Sequence, residues 1–161
     1  MADGAIPVQW EDDGHCYLCG VNNPEGIKLT FRLEGRVIET EFVAEKRHQG
    51  YRNVLHGGFL GMVMDEVMVM LPYRLFGTLV VNAEYGVKLL RPVAVGSRVR
   101  VRAAFTGGAR PGQRLYRLTA EAVAEDGTPL ATGWGTCVRP STKLGADPEQ
   151  ARRVRAGGGG R

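Results

Sequence analysis

The stretch Gly58 to Leu71, GFLGMVMDEVMVML, constrains this chain more than any other part of its sequence. It is too long and too poor in turn residues for a typical strand, and it follows a glycine pair that can open a helix. It predicts an α-helix of about four turns, ended or kinked near Pro72. Apolar residues lie all round it, so it belongs in the interior rather than on a wet surface. Met62, Met64, Met68 and Met70 lie inside it and read as adaptable core filling. Whatever else the chain forms must wrap this helix.

The flanking segments read as strands. Residues 27–34 and 37–44 are β-rich runs separated by Glu34-Gly35-Arg36, a hairpin signal. Residues 79–90 form a long β-branched run that stops before Pro92. Residues 97–106 and 114–125 follow, joined by a loop rich in glycine, and Asp126-Gly127 turns the chain into a last strand at 129–139. The expectation is an α+β domain, an antiparallel sheet of about six strands around one long central helix. Such a sheet leaves an open edge and a helix flank that a second copy can cover, so a homodimer, or a homotetramer made of two, is expected.

The 161 residues suit one domain, read as a lead-in at 1–26, a folded body at 27–140 and a disordered Gly/Arg-rich tail at 141–161. No apolar run of about 18 residues occurs and the first residues have no signal-like pattern, so a cytoplasmic chain without a membrane span is expected. The net charge of +4 sits mostly in the tail, and aromatic residues are 7%, which argues against nucleic acid as a partner. Between Glu84 and Glu121 there is no acidic residue, while eight basic ones fall there. Arg98, Arg100 and Arg102 alternate with valines and share one strand face, either as a solvated face or as a surface for an anion.

Asp65 and Glu66 are the anomaly of the buried helix, because ionised carboxylates are costly to bury without partners. Adjacent helical residues point about 100° apart, so one should face a cleft and the other an interface or a basic partner. His56-Gly57-Gly58 precedes them at the helix N-terminus, where free N–H groups favour negative charge and glycine lets a substrate oxygen approach. An oxyanion or polarised carbonyl would be held there, with His56 as a structural hydrogen-bonder or an acid/base. His15-Cys16-Tyr17-Leu18-Cys19 offers half of a zinc set with His15 as a third ligand, but no second CxxC exists. It reads as packing at a dimer edge; neither a metal nor a cofactor is expected.

His56-Gly57-Gly58 with Asp65 nine residues after the histidine, Gln49-Gly50 before it, Leu90-Arg91-Pro92-Val93 and the Asp126-Gly127 turn form one pattern. Cys19-Gly20 and Asn23-Pro24-Glu25-Gly26-Ile27 extend it at the N-terminal side. From about Cys16 to Pro140 the chain resembles the hotdog-fold acyl-CoA thioesterases, in the branch related to the phenylacetate-pathway thioesterase. The resemblance implies hydrolysis of a thioester to a free acid and Coenzyme A, with Asp65 as general base or nucleophile. It implies that the Gly58 N–H polarises the carbonyl, that His56 positions, and that the acid comes from the other subunit of a dimer. Gly50 stands where some relatives carry asparagine, leaving Gln49 or Asn53 to replace it, and Asn82 stands where a threonine or serine is common. Gly57, Glu66, Arg91 and Asn53 are candidate substrate contacts, and Coenzyme A enters only as part of the substrate. Its phosphates would suit Arg91 and the Arg98, Arg100, Arg102 ladder. The methionines beside Asp65 suggest an apolar or aromatic acyl group. The alternatives are a non-enzymatic acyl-CoA binding module and a hotdog dehydratase or hydratase using His56 and Asp65.

Overall fold

The computed structural model describes residues 13–140; the expected tail at 141–161 and the first part of the lead-in lie outside them. Six strands form one sheet: β1 (Phe31–Glu34), β2 (Val37–Val43), β3 (Val81–Leu89), β4 (Arg98–Phe105), β5 (Leu115–Ala124) and β6 (Pro129–Val138). Their order across the sheet is β1-β2-β4-β5-β6-β3, and every neighbouring pair is antiparallel. The helix α1 (Gly57–Phe76) lies against one face. Along β4 and β5 buried residues alternate with half-buried or exposed ones, as a sheet covered on one side requires.

Both tight turns form as the sequence predicts. Glu34 pairs with Val37, leaving Gly35-Arg36 as the loop with Gly35 at φ 58°, a left-handed conformation that glycine adopts without a Cβ clash. In the second turn the Asp126 carboxylate accepts from Thr128 N at 2.9 Å, and that bonding lowers the Asp126 pKa. The first strand is shorter than expected: residues 27–30 are irregular, with Lys28 at φ 63°, and β1 begins only at Phe31.

The helix is longer than expected. It runs through Pro72 and ends at Gly77, whose N–H donates to Tyr73 O at 2.8 Å from a left-handed conformation. Proline removes only the bond to the carbonyl four residues back, and the Met68 carbonyl so released lies 3.9 Å from the Cys137 thiol. Ten of the residues of α1 are buried, including Val63, Met64, Val67, Met68 and Leu71. Met64 Cε would lie 2.9 Å from a Cβ placed at Gly133, and Met68 Sδ 2.9 Å from one at Gly135. The absence of side chains at these two β6 positions is what lets the helix settle so close to the sheet.

Candidate active site

Asp65 lies on the middle of α1, half-buried, and accepts a hydrogen bond on Oδ1 from the Asn82 side-chain N–H. Asn82 sits at a β-bulge of β3, where the register against β6 shifts between Asn82 and Glu84. Such an irregularity re-aims a side chain that a regular strand would direct otherwise. Across the ladder from Asn82 is Cys137, whose thiol donates to Asn82 Oδ1 at 2.9 Å. Burial, and then the Asp65 charge, push the Cys137 thiol up to about 12, so it stays a donor at neutral pH. With its oxygen engaged by that thiol, the Asn82 amide has its N–H group directed at Asp65. Nothing in the sequence around Cys137 pointed to this role; the alternation Gly133, Gly135, Cys137 on one face of β6 is the signal that places it under the helix.

At the helix start His56 is the N-cap and is exposed, and its Nδ1 accepts the Gly58 N–H at 2.9 Å. The His56 carbonyl receives Phe59 N at 2.9 Å and Leu60 N at 3.4 Å. The Gly58 N–H, expected to face a carbonyl oxygen, is therefore held by the histidine, whereas Gly57 contributes one of the first-turn donors that no helical carbonyl can satisfy. Gly57 lines a cavity of about 270 Å³ together with Leu55, Leu60, Leu89, Arg91 and Val93. Arg91 is exposed there and donates to Pro129 O at 2.8 Å. A larger hollow of about 380 Å³ lies on the strands around Arg102 and Glu121, and neither Asp65 nor the helix start lines it.

No protein-family model matches the chain, and no curated protein sequence matches it. Solved structures do. The PaaI protein of the E. coli phenylacetic acid degradation operon superposes with a TM-score of 0.64 at 14% identity, covering 73% of this chain and 83% of that one. A mutant of the phenylacetic acid degradation protein PaaI from Thermus thermophilus gives 0.61 at 24% identity, over 70% and 93%. A hypothetical thioesterase from Streptococcus pneumoniae, solved with Coenzyme A, gives 0.63 at 11% identity, over 72% and 91%. The chain has the hotdog fold.

Within the hotdog frame the remaining candidates divide. Gln49 and Asn53 belong to the loop before the helix: Gln49 Oε1 accepts Asn53 N at 3.1 Å, and Asn53 Oδ1 accepts Lys46 Nζ at 3.0 Å. That loop is tied to the helix start, since His56 N donates to His48 O at 2.9 Å and a Cβ at Gly50 would meet the His56 ring at 3.1 Å. His48, which the motif reading did not single out, is buried and stacked on Phe59 with ring centroids 4.2 Å apart. Its Nδ1 accepts Glu45 N at 3.1 Å, and burial lowers its pKa.

Among the described residues no basic group forms an ion pair with Glu66, and Glu66 does not line the cavity beside Gly57. Its carboxyl meets the lead-in loop, where the Cys16 thiol donates to Oε1 at 3.9 Å and Cys19 lies alongside. Burial, followed by the charge of Asp65, raises the Glu66 pKa against the lowering effect of the thiols, and burial together with Glu66 raises that of Cys19. His15, the third ligand that the CxxC segment could offer, is exposed and bonds to Asp13 instead.

The arginine ladder is not an open cationic face in this hotdog sheet. Arg98 pairs with Glu41 at 2.6 Å and Arg102 with Glu121 at 2.6 Å, while Glu39 and Glu41 stand opposite Arg102 and Arg100 in the register. The acids absent from the sequence between 84 and 121 arrive from the neighbouring strands.

Proposed function

We propose that this protein hydrolyses an acyl-CoA thioester to a carboxylic acid and Coenzyme A, with Asp65 as general base on water or as nucleophile. The observation that carries the reading is the half-buried Asp65 carboxylate, held on one oxygen by Asn82 and leaving the other to meet water or the thioester carbon. Coenzyme A in the Streptococcus pneumoniae structure and the PaaI names of two further similar structures support the same chemistry.

The carbonyl-polarising donor comes from the first turn of α1: the Gly57 N–H as the chain stands, and the Gly58 N–H once His56 Nδ1 releases it. Eight residues of helix separate Gly57 from Asp65, a rise of about 12 Å. A thioester carbonyl and its attacking atom are within about 3–3.5 Å of each other, and this separation along one helix favours a site in which donor and acid come from different copies. A second copy supplies the missing partner, which makes the active unit a homodimer. Edge strand β3 is the element that pairs the copies, with Tyr85 and Leu89 on it and Trp134 beside it all exposed. Arg91, at the cavity mouth, meets the phosphates of Coenzyme A.

The test is thiol release from short, long and aromatic acyl-CoAs by the parent and by Asp65→Asn. A general base contributes about 10²–10⁴-fold, so kcat falls by that factor in a variant whose circular dichroism is unchanged. Saturable binding with no turnover of any thioester would overturn the reading in favour of a non-enzymatic binding module. Hydration of an enoyl-CoA without thiol release would favour a hydratase.

A further inference from the structure

Cys16, Cys19 and Glu66 come together although fifty residues separate Cys16 from Glu66. One ligand atom from each lies within 4.8 Å of the other two, and all three residues are half-buried. We propose that these three side chains form a binding site for a divalent metal of the zinc class, with the fourth coordination position open to water.

The donor set selects the metal. Two thiols in a CxxC spacing with one carboxylate suit a borderline-soft ion that accepts sulfur and oxygen in a tetrahedron, and do not suit calcium or magnesium, which take oxygen alone. At the usual zinc bond lengths tetrahedral ligand atoms lie about 3.5–3.8 Å apart. The Cys16 Sγ to Glu66 Oε1 separation of 3.9 Å is already close to that spacing.

The loop that presents the thiols is built as a rigid hook. Gly20 N donates to Cys16 O at 2.9 Å, Asn22 N to Gly14 O at 2.8 Å, Ile27 N to Tyr17 O at 2.9 Å and Leu29 N to Leu18 O at 2.8 Å. Lys28 Nζ donates to Gly20 O at 2.8 Å and to Val21 O at 2.9 Å, and also to Asn23 O. A Cβ at Gly20 would lie 2.4 Å from Cys16 N, so only glycine permits the chain to close this tightly. Between the cysteines Leu18 is buried in the core at 4% exposure, which fixes the hook to the body. Glu66 comes from α1, and among the described residues no basic group forms an ion pair with it. Binding releases the two thiol protons to solvent, and the cation takes the place of the missing counter-charge. The bound ion would join the lead-in to the helix one residue from Asp65, a link independent of thioester hydrolysis.

Cobalt(II) is the probe, titrated into the reduced full-length protein and then displaced with zinc. The expected result is a thiolate-to-cobalt charge-transfer band that saturates at one equivalent, disappears on adding zinc, persists in Cys137→Ser and is lost in the Cys16→Ser, Cys19→Ser double variant. Glu66→Gln keeps a band but weakens affinity by about tenfold or more, since losing even an outer-shell partner of a metal typically costs about 10–100-fold. No band from the folded parent chain overturns the proposal without reference to any variant, as does a band that survives removal of both cysteines or vanishes in Cys137→Ser. Zinc protection of Cys16 and Cys19 against alkylation gives the same answer by a second route, and neither readout depends on catalysis.

Discussion

Asn82 donates its amide N–H to the Asp65 carboxylate while its amide oxygen receives the thiol of Cys137, so a strand bulge, a buried cysteine and a helical acid form one chain of hydrogen bonds. A hydrogen bond to a charged group contributes about 1.5–3 kcal/mol. Asn82→Ala therefore lowers kcat by about 10- to 100-fold. Cys137 acts through Asn82: Cys137→Ser retains a donor and most activity, whereas Cys137→Ala frees the amide to turn and lowers kcat with little change in KM. Steady-state kinetics with one acyl-CoA checks both, and equal losses in Ser and Ala variants would remove Cys137 from the relay.

Two inactive variants should rescue each other. If the acid and the helix-start donor come from different copies, a mixture of Asp65→Asn with Gly57→Val assembles dimers carrying one intact site. Random pairing of equal amounts then restores about one quarter of parental activity for a two-fold symmetric dimer. Activity after co-refolding measures it; no recovery from well-folded mixed dimers places both groups in one copy.

Stability should fall on mild acidification. Burial lowers the His48 pKa from the ordinary 6.5, so the unfolded chain takes up a proton that the folded chain refuses. The folded state then loses stability as pH falls below the ordinary 6.5 towards the lowered value, and keeps this contribution in full only above the ordinary value. Urea midpoints between pH 5 and 8 show the slope, and His48→Gln removes this part of it.

The bare strip of β6 should resist filling. A Cβ at Gly133 would lie 3.0 Å from Gly86 O and 2.9 Å from Met64 Cε, and overpacking of this kind costs about 1–3 kcal/mol. Gly133→Ala lowers the unfolding midpoint accordingly. Gly108→Ala, at a position with nothing within 4 Å, stays within about 0.5 kcal/mol of the parent. Denaturation of the two side by side decides it.

The six strands, both tight turns and the central helix were legible because their cause is local: alternation along a strand, a glycine in a turn and an uninterrupted apolar run are properties of neighbouring residues. Pro72 misled because a breaker is judged locally, whereas its cost depends on what receives the released Met68 carbonyl, and that neighbour is Cys137 from the far end of the chain. The arginine ladder was legible as a face, but its charge was not, since Glu41 and Glu121 reach it only through the register of β2 and β5 against β4.

The site divides in the same way. His56-Gly57-Gly58 and Asp65 were visible as a motif because a helix turns spacing into geometry. The partner of each carboxylate was not: Asp65 meets Asn82 through a bulge, and Glu66 meets Cys16 and Cys19 through a folded-back loop. The sequence by itself determined which elements form and which faces they bury, because that follows from periodicity over a few residues. The tertiary structure alone decided which distant polar groups share a hydrogen bond, because that depends on register and loop docking set by the packed core as a whole.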